Sequence, residues 1–276
     1  MCELFAFSGE HPALLQYSLH AFASHGAGMR NADGWGIAHY IDGDVRLLKE
    51  ASAARDSACL NFIEAHPLRS DLVMSHIRHA TQGGATVRNC QPFVRELGGV
   101  MHVFAHNGDL DRTGLGRMAT LECSQPVGET DSELAFCVLL QRLRPLWRGA
   151  AGLPALESRR HVVATFAQEL RALGPANFIY ADGDALFAHG HKRIHDGAGI
   201  RPPGLHVLHR SCDAGGSSVE GPGLRIEPTQ DHGAQLLVAS VPLTDATAWR
   251  ALGEGELIVA RQGRVLPAPE RSIGHD

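Results

Sequence analysis

The 276-residue sequence lacks the cysteine spacing of a structural framework. Its six cysteines (Cys2, Cys59, Cys90, Cys123, Cys137 and Cys212) form no C-x-x-C pair and no dense cluster, which argues against disulfide staples and zinc knuckles and fits a reducing cytosol. It also lacks an excess of basic charge. A net charge of -5 with a pI near 6.4 gives no electrostatic reason to expect nucleic acid or an anionic membrane as partner, and leaves a small molecule as the expected substrate. There is no basic segment followed by an apolar run at the N-terminus, and no run approaches the ~18 apolar residues of a membrane span. A cytoplasmic location is therefore expected. No internal repeat and no dividing linker is present, so residues 2–276 read as a single domain, large enough at 44% hydrophobic content to bury a substantial core. No cofactor is expected, and self-association is left open.

What the sequence does have is a cysteine directly after the initiator methionine. Removal of Met1 would make Cys2 the chain end, with a thiol and a free α-amine on one residue. The ordinary α-amine pKa of ~7.7–8.0 is close to that wanted of a general base at neutral pH. A nucleophile activated by such a terminal amine is a known route to covalent catalysis. Cysteine also follows methionine by chance, so the assignment depends on the rest of the chain.

The apolar pattern describes alternating elements. Residues 2–8 read as a strand buried on entry to a sheet, with Cys2 at its end. Residues 12–24 place Leu15, Leu19 and Phe22 on one face after Pro12 and predict a helix that stops at His25-Gly26-Ala27-Gly28. Trp35 to Tyr40 and Val45 to Lys49 flank Asp42-Gly43-Asp44 as a hairpin. A helix is expected over 52–65, then strands from Leu72 to Arg78 and from Val100 to His106. Two long amphipathic helices follow, one presenting Phe136, Leu139, Leu140, Leu143 and Trp147, the other Val163, Phe166, Leu170 and Leu173 before Gly174-Pro175. Strands are expected at Asn177 to Ala181, Ala185 to His189, Gly204 to His209, Gln235 to Val241, Glu256 to Ala260 and Arg264 to Leu266. Hairpin signals join several of them, so the sheets should be largely antiparallel. Residues 211–223 read as a surface loop.

Four polar segments interrupt this apolar pattern. In Arg30-Asn31-Ala32-Asp33-Gly34-Trp35-Gly36, glycines flank a tryptophan and permit close backbone approach. In Ser75-His76-Ile77-Arg78-His79-Ala80-Thr81, Arg78 ends an apolar strand, where its planar fork could clamp a carboxylate or form a plain buried ion pair. Asn107-Gly108 could aim a side-chain and a backbone N–H at one point, as an oxyanion hole requires, or could be an ordinary hairpin turn. Thr130-Asp131-Ser132-Glu133 opens a helix, and Thr130-x-x-Glu133 is also the pattern of a capping box, in which an acidic first turn is stabilising without any ligand. The pairs His76/His79, His102/His106 and His189/His191 invite a metal reading, but their strand spacing gives no three-ligand cluster, and no metal is expected.

Taken together, Cys2 after Met1, His76-x-Arg78-x-Ala80-Thr81, His106-Asn107-Gly108 and Thr130-Asp131-Ser132-Glu133, in that order and spacing, resemble the class II (N-terminal nucleophile) glutamine amidotransferases. With Asn31 to Gly36 and Cys90-Gln91-Pro92-Phe93 included, nearly the whole chain looks closest to the stand-alone members. It is also similar to the γ-glutamyl amidohydrolases of thiol metabolism. The resemblance implies an α+β fold, a four-layer αββα sandwich of two antiparallel sheets between helical layers. It implies Cys2 as nucleophile and source of the base, Asn107 and Gly108 as oxyanion donors, Arg78 for the substrate α-carboxylate and Asp131 for its α-ammonium. Thr81 and His79 fall on the substrate rim, while Arg30, Asp33 and Trp35 play supporting parts, Arg30 by helping to fix the terminal cysteine. The chemistry is coherent, because a zwitterionic head needs one cation and one anion, and a thioester-forming reaction needs a thiolate and two N–H donors. The sequence departs from synthase-linked members in having His79 where they carry an aromatic residue and Gln82 where they carry histidine. No acceptor domain is read in the chain. The expected activity is thus hydrolysis of glutamine or a γ-glutamyl amide, with a separate ammonia-accepting enzyme as the alternative destination for the released ammonia.

Overall fold

The period-two alternation that begins after Cys2 runs twice as far as the apolar pattern suggests, and it carries the chain end into the middle of a sheet. The computed structural model describes residues 2–17, 33–148, 152–195, 199–212, 218–221, 224–230 and 232–268. In chain order the elements are β1 (Glu3–Tyr17), β2 (Trp35–Ile41), β3 (Asp44–Glu50), α1 (Ala58–Ala65), β4 (Leu68–Ile77), β5 (Phe93–Leu97) and β6 (Val100–Gly108). There follow α2 (Arg112–Met118), α3 (Asp131–Trp147), α4 (Leu156–Leu170), β7 (Ala176–Ala181), β8 (Leu186–His189), β9 (Arg193–His195) and β10 (Gly199–Arg201). The last are β11 (His206–Cys212), β12 (Val219–Gly221), β13 (Leu224–Pro228), β14 (Gly233–Ala239), β15 (Arg250–Ala251), β16 (Leu257–Arg261) and β17 (Arg264–Val265).

The helix expected over 12–24 is not formed in its described part. Residues 13–17 continue β1, with Ala13 and Leu15 buried and Gln16 exposed, an alternation of two rather than a helical stripe. The register against β4 shifts between Ser8 and Ala13, and Pro12 falls in this irregular stretch, where a strand tolerates a residue without an N–H donor. Residues 18–24 of that expected helix lie outside the described residues. The loop expected over 211–223 is likewise shorter, since β11 runs to Cys212 and β12 occupies 219–221. Asn107 and Gly108 are not a hairpin turn, because both continue β6 and pair with Asn177 and Ala176 of β7.

Two large antiparallel sheets result, with β9 and β10 paired as a separate two-stranded ribbon. Nine strands form one, in the order β15-β11-β14-β1-β4-β2-β3 with β13 and β12 to the side; six form the other, in the order β17-β16-β8-β7-β6-β5. Between them Leu4, Ala6, Ala38, Leu72 and Met74 meet Val103, Ala105, Ile179, Ala188 and Ala260. The small side chains in this layer let the sheets stack closely. Helices α3 and α4 cover the outer face of the six-stranded sheet, where the Phe104 ring stacks on Phe136 at 5.3 Å and on Phe178 at 5.5 Å. The outer face of the nine-stranded sheet is closed by Leu60 and Ile63 of α1 against Phe5, Phe7, Trp35 and Ile37. This is the αββα sandwich. No described helix is long and apolar enough to cross a membrane.

A buried cluster of charge ties a helix to the sheet beneath it. Arg159 of α4 is 2% exposed and donates to Asp182 and to Asp184 of the β7–β8 turn, each at 2.6 Å. Asp182 also accepts the Ala185 N–H and is fully buried. Removing one partner of a buried pair strands the other, so Arg159→Ala should lower unfolding free energy by about 3–5 kcal/mol in urea titrations. A loss below about 1 kcal/mol, the range of surface pairs, would show that the pair does not tie the layers.

Candidate active site

The start of β1 lies beside the end of β4, with Glu3 opposite Ile77, and this register sets Cys2 against the residues after Ile77. The His79 N–H donates to Cys2 Sγ at 3.1 Å, and the thiol donates to His79 O at 3.2 Å. Burial pushes the thiol up to about 11, with Glu3 adding to the rise, while the His79 N–H, the positive chain terminus and Arg78 pull against it. Such a sulfur is a protonated thiol at neutral pH, so a base must take its proton during attack. Glu3 anchors the strand on its other face: Arg193 of β9 donates to Glu3 at 3.0 Å and to Ser240 O at 2.6 Å, and Ser240 Oγ accepts the Leu4 N–H at 2.9 Å.

Arg78 is 3% exposed, and its guanidinium donates to the carbonyls of Asp33, Gln82, Gly83 and Gly84 at 2.9–3.3 Å. Its backbone N–H reaches Gly34 O at 2.8 Å. The Asp33 carboxylate accepts the Ala80 N–H at 2.9 Å and lies 3.6 Å from His79 Nδ1. Asp33, Arg78 and His79 therefore form one connected group, of which the His79 backbone touches the sulfur. The glycines around Trp35 serve packing: a Cβ on Gly34 would collide with Cys90 Sγ, and one on Gly36 with Gln91 O. Trp35 itself is fully buried in the outer core beside Phe5. Thr81 is exposed, and Arg30 lies outside the described residues.

The second sheet supplies the remaining groups. Asn107 Nδ2 donates to the Cys2 carbonyl at 2.6 Å, joining the ends of β6 and β1. Gly108 follows with no room for a side chain, since a Cβ there would overlap Pro175 O. The first turn of α3 is bound to this strand end through two of its residues. Thr130 Oγ1 caps the Glu133 N–H at 3.2 Å, as the capping pattern requires, but the Glu133 carboxylate turns to the Gly128 N–H and to Arg95. Asp131, 3% exposed, accepts the Leu110 N–H at 2.8 Å, and Ser132 meets His106 Nδ1 at 2.9 Å. One Asp131 oxygen is thus given to the chain just beyond β6, and the other lies 3.4 Å from the Ser132 hydroxyl.

The histidine pairs do not converge. His76 is fully buried and pushed down to about 3 by burial and by the nearby His106 and Arg78. His102 is held by the Tyr180 hydroxyl at 2.7 Å and by Leu97 O, and His189 by Ala176 O. Among the described residues, no group of three His, Cys, Asp or Glu side chains is placed to hold a metal. Sequence reasoning gave no role to several residues that support the site. Gln91 clamps His106 through both its backbone N–H and its carbonyl, at 2.7 and 3.0 Å, and Asn177 contacts Asn107 from β7. The available signal was a polar amide in otherwise apolar surroundings, as in Ala176 to Ala181.

A family model for class II glutamine amidotransferases matches residues 1–274, and the chain belongs to that family. It is 31% identical to YafJ of Escherichia coli (strain K12) across 93% of this chain and 96% of that protein. DUG3 of Saccharomyces cerevisiae is 25% identical across 98% of this chain and 84% of its own length. Among solved structures, a predicted glutamine amidotransferase from Pseudomonas aeruginosa aligns with 97% of this chain and 100% of its own, at 30% identity and a TM-score of 0.68. The glutamine phosphoribosylpyrophosphate amidotransferase of B. subtilis aligns with 96% of this chain and 48% of its own at a TM-score of 0.56; at 16% identity that likeness bears on the fold alone.

The raised thiol pKa has a direct consequence in the chain that retains Met1. Thiolate grows about tenfold per pH unit below the pKa, so iodoacetamide labelling of Cys2, followed by peptide mass spectrometry with the exposed Cys123 as internal reference, should keep rising to the highest pH the fold tolerates. A plateau below about pH 8, near the ordinary thiol value, would contradict the buried, protonated sulfur.

Proposed function

We propose that the mature chain, one domain beginning at Cys2 after loss of Met1, hydrolyses the γ-amide of glutamine or another γ-glutamyl compound through a γ-glutamyl thioester. The observation that carries this reading is the convergence on one residue of the His79 N–H at the Cys2 sulfur and the Asn107 carboxamide at its carbonyl. In this reading the freed α-amine of Cys2 takes the thiol proton as sulfur attacks the amide carbon, and the carbonyl electrons move onto oxygen. A carboxamide has two N–H donors; one of Asn107's is given to Cys2 O, and the second, with the Gly108 N–H, receives the oxyanion. The ammonium then protonates the leaving nitrogen as the C–N bond breaks, releasing ammonia or an amine. Water, deprotonated by the same amine, attacks the thioester; the C–S bond breaks, and glutamate departs.

The substrate head would be gripped by Arg78 at its carboxylate and Asp131 at its ammonium, both nearly buried, where opposite charges attract far more strongly than in water. His79 and Thr81 would form the rim. One observation favours a second reading, in which the chain is a glutaminase subunit whose activity depends on a separate ammonia-accepting partner. The Arg78 guanidinium is occupied by four backbone carbonyls, so its carboxylate clamp forms only when residues 82–84 withdraw. A glutamine-mimicking electrophile separates the two: Cys2 labelling of the isolated mature chain supports the hydrolase, and inertness that a partner relieves supports the subunit.

Cys2→Ala should abolish release of glutamate while leaving the melting temperature nearly unchanged, because the residue precedes the first strand. Asn107→Ala should lower kcat about 10²- to 10³-fold, the loss typical of one oxyanion donor. Full amidase activity in Cys2→Ala would overturn the mechanism.

A further inference from the structure

Strand β7 is buried throughout, and within it Asn177 is polar, fully buried and directly opposite Asn107. Its carboxamide is used on every side. Nδ2 donates to Asn107 O at 3.0 Å and to Lys192 O at 2.7 Å, while Oδ1 accepts the His191 N–H at 2.7 Å. The chain makes room for it, since any Cβ on Gly204 would overlap the Asn177 carboxamide. The neighbouring Ala176, opposite Gly108, is held on both sides as well: its N–H donates to His191 Nδ1 at 3.3 Å, and its carbonyl meets His189 Nδ1 at 2.7 Å.

The placement matters because Asn107 C=O and Gly108 N–H belong to one planar peptide unit. In a trans peptide the two bonds point in opposite directions, so whatever fixes the carbonyl fixes the direction of the N–H. A donor at the carbonyl oxygen also polarises the N–H on the far side, as in any hydrogen-bonded amide chain. We propose that Asn177 is a positioning residue of the oxyanion hole: by donating to Asn107 O it orients the Gly108 N–H toward the reacting carbonyl. This deepens the thioester reading and rests on it for its kinetic consequence. Asn177 touches no reacting atom. Through Lys192 O and the His191 N–H it also ties the oxyanion donors to the segment before β9, whose Arg193 holds Glu3 next to the nucleophile.

The test compares Asn177→Ala and Asn177→Asp with the wild-type mature chain and with Tyr40→Phe, which removes buried hydrogen bonds to Met101 O and Ala181 O in the inter-sheet core, away from Cys2. In 15N-glycine-labelled protein, the Gly108 amide resonance should shift and its hydrogen exchange should quicken in both Asn177 variants and not in Tyr40→Phe. With glutamine as substrate, kcat should fall about 10- to 100-fold with KM nearly unchanged, because the oxyanion exists only beyond the ground state. Should Asn177→Ala fail to fold, Asn177→Ser, which keeps one donor, makes the same comparison. An unmoved Gly108 amide overturns the proposal, as does unchanged kcat in an active enzyme. A shifted Gly108 amide in a chain whose wild type turns over neither glutamine nor any of a panel of γ-glutamyl amides supports the positioning and overturns the hydrolase reading instead.

Discussion

The seating of the first strand is the constraint on which the rest depends. β1 is paired on one edge with β4 and on the other with β14 and β13, so the segment that follows the nucleophile is among the most enclosed in the molecule. Chain ends ordinarily fray, and a nucleophile on a frayed end would lose the orientation that converts a bimolecular attack into a local one. Here Phe5 and Phe7 lock one face into the outer core, Leu4 and Ala6 lock the other between the sheets, and the Glu3–Arg193 pair closes the last open side. The cost of a buried ion pair is tolerated where it specifies a position, and this one specifies the residue after Cys2.

From that anchor the site assembles by strand ends meeting. β4 delivers Arg78 and His79 within its own sheet, and β6 brings Asn107 and Gly108 across from the other. The first turn of α3 is stitched to the β6 end by Asp131 and Ser132, so all four sequence segments are positioned by regular elements rather than by long loops. Rigid support of this kind is what catalysis by oriented donors requires, because an oxyanion stabiliser that must reorganise during the reaction loses most of its effect.

Much of the architecture was legible in the sequence wherever apolar periodicity was long and uninterrupted. The two helices carrying Phe136 and Phe166 and the strands bounded by Asp-Gly turns lie where their patterns put them. The failure at 12–17 has a physical origin: Leu15, Leu19 and Phe22 satisfy a helical spacing, yet Ala13 and Leu15 satisfy strand alternation equally, and pairing with β4 and β13 decides between them. The arginine segment, the Asn107-Gly108 segment and the Thr130 to Glu133 segment stood out because each places polar groups in otherwise apolar surroundings, and Cys2 because it follows Met1. What the sequence could not show was connectivity between segments. That Asp131 would serve Leu110, that Arg78 would be filled by the carbonyls of residues 82–84, and that Asn177 would hold Asn107 are consequences of which strand ends lie side by side.

The central claim is that one freed chain end provides both the attacking sulfur and the proton acceptor. Its most direct test is rapid acid quench of the Met1-free chain mixed with glutamine, followed by intact-mass and peptide analysis. The account predicts a transient γ-glutamyl adduct on Cys2 that forms and decays with glutamate release and never appears on chain that retains Met1. An adduct on another residue, or equal turnover by the Met1-bearing chain, would contradict it.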